Sequence, residues 1–179
     1  MCYTYDNLNR LMEMLRNIIY GMACESKMNK TKKILKEQIK CFCETNNLVF
    51  HSTSEIIFGE NEFFLFYIIC NFKPSSCEVG IYFTPLFIAH EELTLTFGDT
   101  IPFLSNKANL ELPYTLSEKT IIKRLNKNLE IASIRLNKWV KMITPDFIIQ
   151  NIDRAKYKDI FYTEDIWKFE LLGYCYGIV

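Results

Sequence analysis

The fold is decided by residues 56–72, IIFGENEFFLFYIICNF, and by the stretches 77–87 (CEVGIYFTPLF) and 92–97 (ELTLTF) that follow. All three are rich in Ile, Phe, Tyr and Val, the residue types that suit a pleated, half-buried surface. The sequence Gly59-Glu60-Asn61 between two apolar runs is typical of a turn and predicts a hairpin. We therefore predict neighbouring strands of a single sheet over this part of the chain.

The strands differ in how much of each is expected to be covered. Residues 63–72 are apolar on both faces, as expected of a strand that is covered on both sides. Residues 93–97 alternate apolar and Thr side chains, which is typical of a half-buried strand, and Gly98-Asp99 is predicted to turn the chain. Together the patterns predict a mostly antiparallel sheet of four or five strands between about residues 48 and 98.

Amphipathic patterns on both sides of the sheet region predict helices that cover it. Apolar residues recur there at three- and four-residue spacing, which places them on one helix face. The predicted helices cover residues 6–22, about 29–45, about 117–142, a segment that begins at 145, and 166 to about 174. Thr115 and Glu118 fit a capping box before the longest helix, and Pro145 suits a first helical position. We predict one α+β domain over residues 1–179.

Composition favours a folded chain in a reducing compartment. Hydrophobic residues make up 49% of the chain and aromatic residues 15%, which is ample for a core. The seven cysteines are odd in number and irregularly spaced, and no basic segment precedes an apolar run at the N-terminus, so we expect neither a disulfide framework nor a signal peptide. No stretch approaches the roughly 20 apolar residues that span a bilayer. We expect a cytoplasmic protein without a membrane partner.

The net charge is zero, but the charge is unevenly distributed. Residues 48–116 have two Lys/Arg against eight Asp/Glu, and residues 117–143 have seven against two. Residues 1–47 sum to +3 and residues 144–179 to −2. The predicted sheet is therefore acidic, whereas two of the predicted helices are basic.

Motifs for metal, phosphate and dinucleotide sites are missing from the sequence. The cysteines and histidines considered as a metal set are Cys41, Cys43, His51, Cys70, Cys77 and His90. Their spacing does not match a structural zinc site, and Cys41 and Cys43 fall about 200° apart around a helix. These cysteines are better explained as small buried hydrophobic residues. Neither GxxxxGK[ST] nor GxGxxG occurs, so we expect no metal and no cofactor.

The sequence leaves the question of catalysis open. A Cys–His pair that uses Cys70 or Cys77 with His51 or His90 is conceivable, since the two partners need only meet in space. A cleft near His90, Cys77 and Glu92 would suit a small hydrolase or transferase. No flanking motif supports either arrangement, and we favour a non-enzymatic protein.

Charged segments are the strongest candidates for a binding site. Lys119, Lys123 and Lys127 recur every four residues and line one helix face, where they could neutralise phosphates. The alternative explanation is a solvated outer face. Acidic turns would suit a basic protein partner, since complementary charge speeds association. The candidate partner-binding residues are Glu60, Glu62, His90, Glu91, Glu92, Asp99, Lys119, Lys123, Lys127 and Lys138.

Two strand-like motifs, Val79–Phe87 (VGIYFTPLF) and Leu93–Asp99 (LTLTFGD), follow a helix–turn–helix lead-in and precede long helices. In this layout the chain resembles small uncharacterised cytoplasmic bacterial domains of the toxin-immunity type. The resemblance implies an inhibitor or interaction role and assigns no residue a function.

The leading function hypothesis is therefore a non-enzymatic binding or inhibitor protein of bacterial or phage origin, an immunity or anti-defence factor that acts through protein–protein interaction. The first alternative is a nucleic-acid-associated protein that uses the basic helix 117–142. The second is the small hydrolase or transferase with a cleft near His90. Nothing in the pattern indicates an oligomeric state.

Overall fold

The computed structural model describes residues 28–51, 55–86, 97–105, 108–154, 160 and 165–178. The strands are β1 Val49–His51, β2 Glu55–Glu60, β3 Phe64–Phe72, β4 Ser76–Pro85, β5 Phe97–Thr100 and β6 Leu112–Pro113. The helices are α1 over residues 28–46, α2 Ile101–Ser105, α3 Glu118–Met142, α4 Pro145–Asn151 and α5 Asp165–Ile178. The predicted helix over residues 6–22 and most of the predicted strand 93–97 lie outside the described residues.

The sheet is antiparallel, with strand order β1-β2-β3-β4-β5, and this arrangement confirms the predicted α+β class. Its centre is the β3–β4 pair, which runs without a register break from Phe64 opposite Pro85 to Phe72 opposite Cys77. Because successive side chains point to opposite faces, this register sorts the two strands into a core face and a second face.

Helices α1 and α3 pack on the core face of the sheet. The buried sheet residues on this face are Ile56, Phe64, Phe66, Ile68, Cys70, Cys77, Val79, Ile81, Phe83, Phe97 and Leu112. Phe83 lies at the centre, with its ring 5.3 Å from that of Phe97 and edge-on to those of Phe64 at 5.6 Å and Trp139 at 6.0 Å. Such offset and edge-to-face contacts are the favoured aromatic geometries. They connect β3, β4, β5 and α3 in one core.

The second face of the sheet also has buried side chains. Tyr67 is fully buried there, and its ring stacks on that of Tyr82 at a centroid distance of 6.0 Å. Thr84, also on this face, is buried as well. The buried side chains on both faces of β3 match the doubly apolar pattern of its sequence. Within the described ranges, no helix is both long and apolar enough to cross a membrane.

Strands β5 and β6 lie end to end along one edge of β4. Thr100 pairs with Gly80 and Leu112 with Cys77, so the two strands form one edge strand interrupted by residues 101–111, which we call the insert. The predicted turn at Gly98-Asp99 is wrong, because both residues lie in β5. Gly98 has φ +129°, and a Cβ on it would collide with the carbonyl oxygen of Ile81. Glycine is needed here for the close approach of two strands.

The long helix α3 begins at a cap that differs from the predicted one. Its N-cap is Ser117, whose hydroxyl accepts a hydrogen bond from the backbone N–H of Thr120 at 3.3 Å. The predicted cap at Thr115 is wrong because the chain is still turning there, with the Leu116 N–H bonded to the Pro113 carbonyl. The predicted start of α4 at Pro145 is confirmed.

Candidate interaction surface

The outer face of α3 carries a row of exposed lysines. Buried residues recur at three- and four-residue spacing on its inner face, so residues on the opposite side of the helix point away from the sheet. The exposed lysines of this outer face, which we call the lysine ridge, are Lys119, Lys123, Lys127, Lys138 and Lys141. From end to end the ridge measures about 33 Å.

Most of the ridge carries positive charge that is not neutralised. Lys127 forms a salt bridge with Glu130 at 2.8 Å, and because both side chains are exposed the pair contributes little to stability. In the part of the chain that the structure describes, no carboxylate lies within salt-bridge distance of the other four ridge lysines. Three of the four predicted lysines therefore keep their charge available at the surface.

The two arginines of α3 point towards the insert. Arg124 donates to the carbonyl oxygen of Glu111 and Arg135 to that of Leu104, each at 2.9 Å. Asn128 is fully buried between these two arginines along α3 and donates to the carbonyl of Leu110, also at 2.9 Å. Helix geometry places the three donors within about 40° of one another around the axis. Both guanidinium groups thus tie the insert to α3.

Helix α1 adds positive charge on the same side of the sheet. Its apolar stripe joins the same core as that of α3, so the outer faces of the two helices are directed away from the sheet together. Lys32 lies over the ring of Tyr114 at 5.5 Å and Lys36 over that of Phe72 at 5.3 Å, which are cation–π distances. Lys30 and Lys33 are exposed.

The two helices give the protein a strong charge asymmetry. Helix α1 has five Lys against two Glu, and α3 has seven Lys/Arg against two Glu. Their charges are therefore +3 and +5, and since the whole chain is neutral the remaining residues sum to −8. A neutral protein with its positive charge collected on two neighbouring helices presents a field that attracts anionic surfaces.

The predicted acidic residues are not brought together. Glu60 is exposed at the end of β2, where Gly59 and Glu60 still belong to the strand and not to the predicted turn, and Glu62 is exposed in the turn that follows. Asp99 is half-buried in β5, with the two central strands between it and β2, and its carboxylate accepts from the Thr100 N–H. His90, Glu91 and Glu92 lie outside the described residues. Glu60 and Glu62 thus lie apart from Asp99.

Two exposed apolar side chains, one on α3 and one on α2, were missed in the sequence. Ile134 of α3 is 64% exposed and Phe103 of α2 is 54% exposed. The exposure of Ile134 could have been predicted from its position, because it lies seven residues from both Lys127 and Lys141 and so shares their side of the helix. Phe103 lies in a segment without a clear apolar periodicity, so the sequence does not predict which way its side chain points.

The cysteines of the sheet are buried and poorly suited to act as nucleophiles. Burial, and then the charge of Glu78, raises the pKa of Cys77 to about 12. Burial also raises the pKa of Cys70 well above its usual value. In α1, Cys43 is buried as expected, but the interpretation of Cys41 as a buried hydrophobic residue is wrong, because it lies about 200° from Cys43 around the helix and is exposed. Among the described residues, no group of three His, Cys, Asp or Glu side chains could hold a metal ion.

Comparisons of this chain with protein-family models, with curated proteins and with solved structures find no match. Its function has to be inferred from the surface itself.

Proposed function

We propose that the protein is a non-enzymatic binding protein, an inhibitor of the immunity or anti-defence type, which contacts an acidic protein partner through the lysine ridge. The supporting observation is that Lys119, Lys123, Lys138 and Lys141 share one exposed face and have no carboxylate partner among the described residues. Unneutralised like charges along a helix are unfavourable for the free protein. Against an acidic partner the same charges speed association and exclude basic competitors.

The side-chain types on this face favour a protein over a nucleic acid. Arginine recognises phosphate in a bidentate manner, and both arginines of α3 are engaged with backbone carbonyls of the insert. The ridge contributes lysines and no aromatic side chain on which a base could stack. Glu130 adds negative charge within the ridge, which suits a partner of mixed charge better than a phosphate backbone.

Nucleic-acid association is the second candidate, and the four-residue spacing of Lys119, Lys123 and Lys127 favours it. Its signature is a salt-dependent gel shift with duplex or single-stranded DNA that is lost on charge reversal of these lysines. No shift at low salt would exclude this candidate.

The primary test is quantitative co-purification from the native host with a charge-reversed ridge. The ridge variant is Lys123→Glu with Lys138→Glu, and the matched control is Lys30→Glu with Lys33→Glu on α1, which changes the net charge equally. We expect a protein partner to be recovered with the wild type and the control and to fall by about tenfold with the ridge variant. Equal recovery with all three proteins would contradict the proposal.

A further inference from the structure

We infer that the outer face of α5 is a self-association surface, on which a second copy of this chain docks with its own α5 running antiparallel. This surface belongs to a different helix from the lysine ridge, so the dimer does not depend on the proposed partner.

Two aromatic side chains are exposed on the outer face of α5. Phe169 is 73% exposed and Tyr176 is 65% exposed, more than any other large apolar residue among those that the structure describes. Leu171 and Cys175 are buried in the main core. Helix geometry places Phe169, Gly173 and Tyr176 within about 60° of one another around the axis, on the side opposite to this buried pair. The exposed aromatic face is therefore one strip that is two turns long.

The sequence of α5 is apolar on all sides. Its charged residues, Asp165, Lys168 and Glu170, all precede Leu171, and none follows before the helix ends at Ile178. A helix that is apolar all round is normally buried all round. The inner face of α5 is buried in this way and the outer face is not, so the outer face is suited to a partner.

The outer face is symmetric about the midpoint between Leu172 and Gly173. Phe169 lies about 5 Å before this midpoint along the helix axis and Tyr176 about 5 Å after it. A second, antiparallel α5 therefore places the Phe169 ring of each copy opposite the Tyr176 ring of the other. It also places Leu172 opposite Gly173, where a Cβ would have nothing within 4 Å and space is open. Such self-complementarity is what a twofold interface requires.

Charge favours the antiparallel orientation over the parallel one. In a parallel pair Lys168 would approach Lys168 of the second copy, and Glu170 would approach its counterpart, which is unfavourable. In an antiparallel pair the charged first half of each α5 meets the uncharged second half of the other. The dipoles of the two helices are then also opposed, which is the favourable arrangement.

The exposed area suits a reversible dimer. With about 200 Å² for a whole aromatic side chain, the four exposed rings of a dimer would together bury about 550 Å². Stable interfaces begin at about 1,200 Å² in total, so the rings supply about half of that area and the flanking surface of α5 adds to it. An interface at the low end of this range is expected to form at micromolar concentrations.

Sedimentation velocity of the full chain over a range of micromolar concentrations, at low and at high salt, tests this inference. We compare the wild type with Phe169→Lys and Tyr176→Glu, and use Val49→Lys and Val49→Glu as matched controls. Val49 is 62% exposed on the edge strand β1, the rival surface through which a second copy could pair. Because all three positions are exposed, the variants are expected to keep the fold, which unfolding curves would verify.

We expect the wild type to form a dimer whose affinity changes little with salt, because the contact is apolar. Phe169→Lys and Tyr176→Glu should each weaken it by at least about tenfold, and both Val49 variants should leave it unchanged. An equimolar mixture of the two α5 variants should recover the dimer. In the antiparallel pair the introduced lysine meets the introduced glutamate at one end, and the Phe169–Tyr176 contact at the other end is intact.

A monomer at every concentration would overturn the inference, as would a dimer that only the Val49 variants weaken. A dimer that dissociates at high salt and is insensitive to the α5 variants would assign self-association to the charged surfaces and would also overturn it. If both α5 variants are monomeric and their mixture stays monomeric, the antiparallel arrangement is contradicted.

Discussion

The side-chain amide of Asn61 donates a hydrogen bond to the carbonyl oxygen of Ile143 at 2.9 Å, across 82 positions of the chain. The same amide donates to the carbonyl oxygen of Val140 at 3.1 Å. The side-chain oxygen of Asn61 accepts from the backbone N–H groups of Phe63 and Phe64. All four hydrogen-bonding positions of the side chain are thus used. The β2–β3 turn is thereby fixed to the C-terminal end of α3, where the lysine ridge also ends.

The substitution Asn61→Asp should separate the two roles of this side chain. The carboxylate keeps both acceptor bonds inside the turn but loses both donors and faces two carbonyl oxygens. We expect a loss of about 2–3 kcal/mol in the free energy of unfolding, measured by urea denaturation. Asn126→Asp, at an exposed position of α3, is the control with the same charge change. Equal stability of the two variants would show that the long-range bonds contribute nothing.

The insert should loosen when its bond to Arg135 is removed. In Arg135→Met the carbonyl of Leu104 loses its donor, which we expect to cost about 1–3 kcal/mol. Hydrogen exchange should accelerate in α2 more than in the central strands, because the change is local. Lys138→Met removes the same charge from an exposed position and should leave exchange unchanged. Uniformly faster hydrogen exchange over the whole sheet would contradict a local effect of the Arg135–Leu104 hydrogen bond.

Two glycines should respond oppositely to alanine. Gly98→Ala would place a Cβ against the Ile81 carbonyl at positive φ, and we expect it to destabilise the protein by at least about 2 kcal/mol. Gly173 lies in α5, and a Cβ on it would have nothing within 4 Å, so Gly173→Ala should stabilise by about 0.5–1 kcal/mol. Thermal unfolding of both variants provides the measurement. A tolerated alanine at position 98 would contradict the close β4–β5 approach.

Tyr82 should make stability depend on alkaline pH. Burial, followed by the charges of Asp99 and Glu78, raises its pKa to about 12, against about 10 in an unfolded chain. The neutral phenol is favoured in the folded state. Its contribution to the free energy of unfolding is therefore complete below pH about 10 and is lost as the pH rises towards about 12.

The tyrosinate absorbance that Tyr82→Phe removes should therefore have its midpoint near pH 12. Asp99→Asn should lower this midpoint, because the neutral amide no longer disfavours a nearby negative charge. A midpoint at the ordinary tyrosine pKa in the wild type would show that the second face of the sheet is open at Tyr82.

Local patterns predicted the α+β class, helix α3 and the strand pair β3–β4, because each depends on periodicity within a short segment. Such patterns failed where a distant residue decides the outcome. Gly98 has the composition of a turn, but its conformation is set by the Ile81 carbonyl. The sequence of the insert shows no apolar periodicity that would predict its structure. Its position is fixed by hydrogen bonds from Arg124, Asn128 and Arg135 of α3.

The candidate site was predictable in part for the same reason. Lysines at four-residue spacing could be assigned to one face, and the structure places Lys119, Lys123, Lys127 and Lys138 there. The sequence could not show that Arg124 and Arg135 point away from this face, because they donate to backbone carbonyls of the insert, a separate segment of the chain. Nor could it separate Glu60 and Glu62 from Asp99, which depends on strand order.

Amine footprinting tests the role of the ridge most directly. Acetylation rates of individual lysines would be measured by mass spectrometry for the purified protein and for the protein in native-host extract, with the α1 lysines Lys30 and Lys33 as internal controls. We predict that Lys119, Lys123, Lys138 and Lys141 become protected in the extract while the two controls keep their rates. Equal rates for the ridge lysines in both samples, or protection confined to α1, would contradict the assignment of α3 as the partner-binding surface.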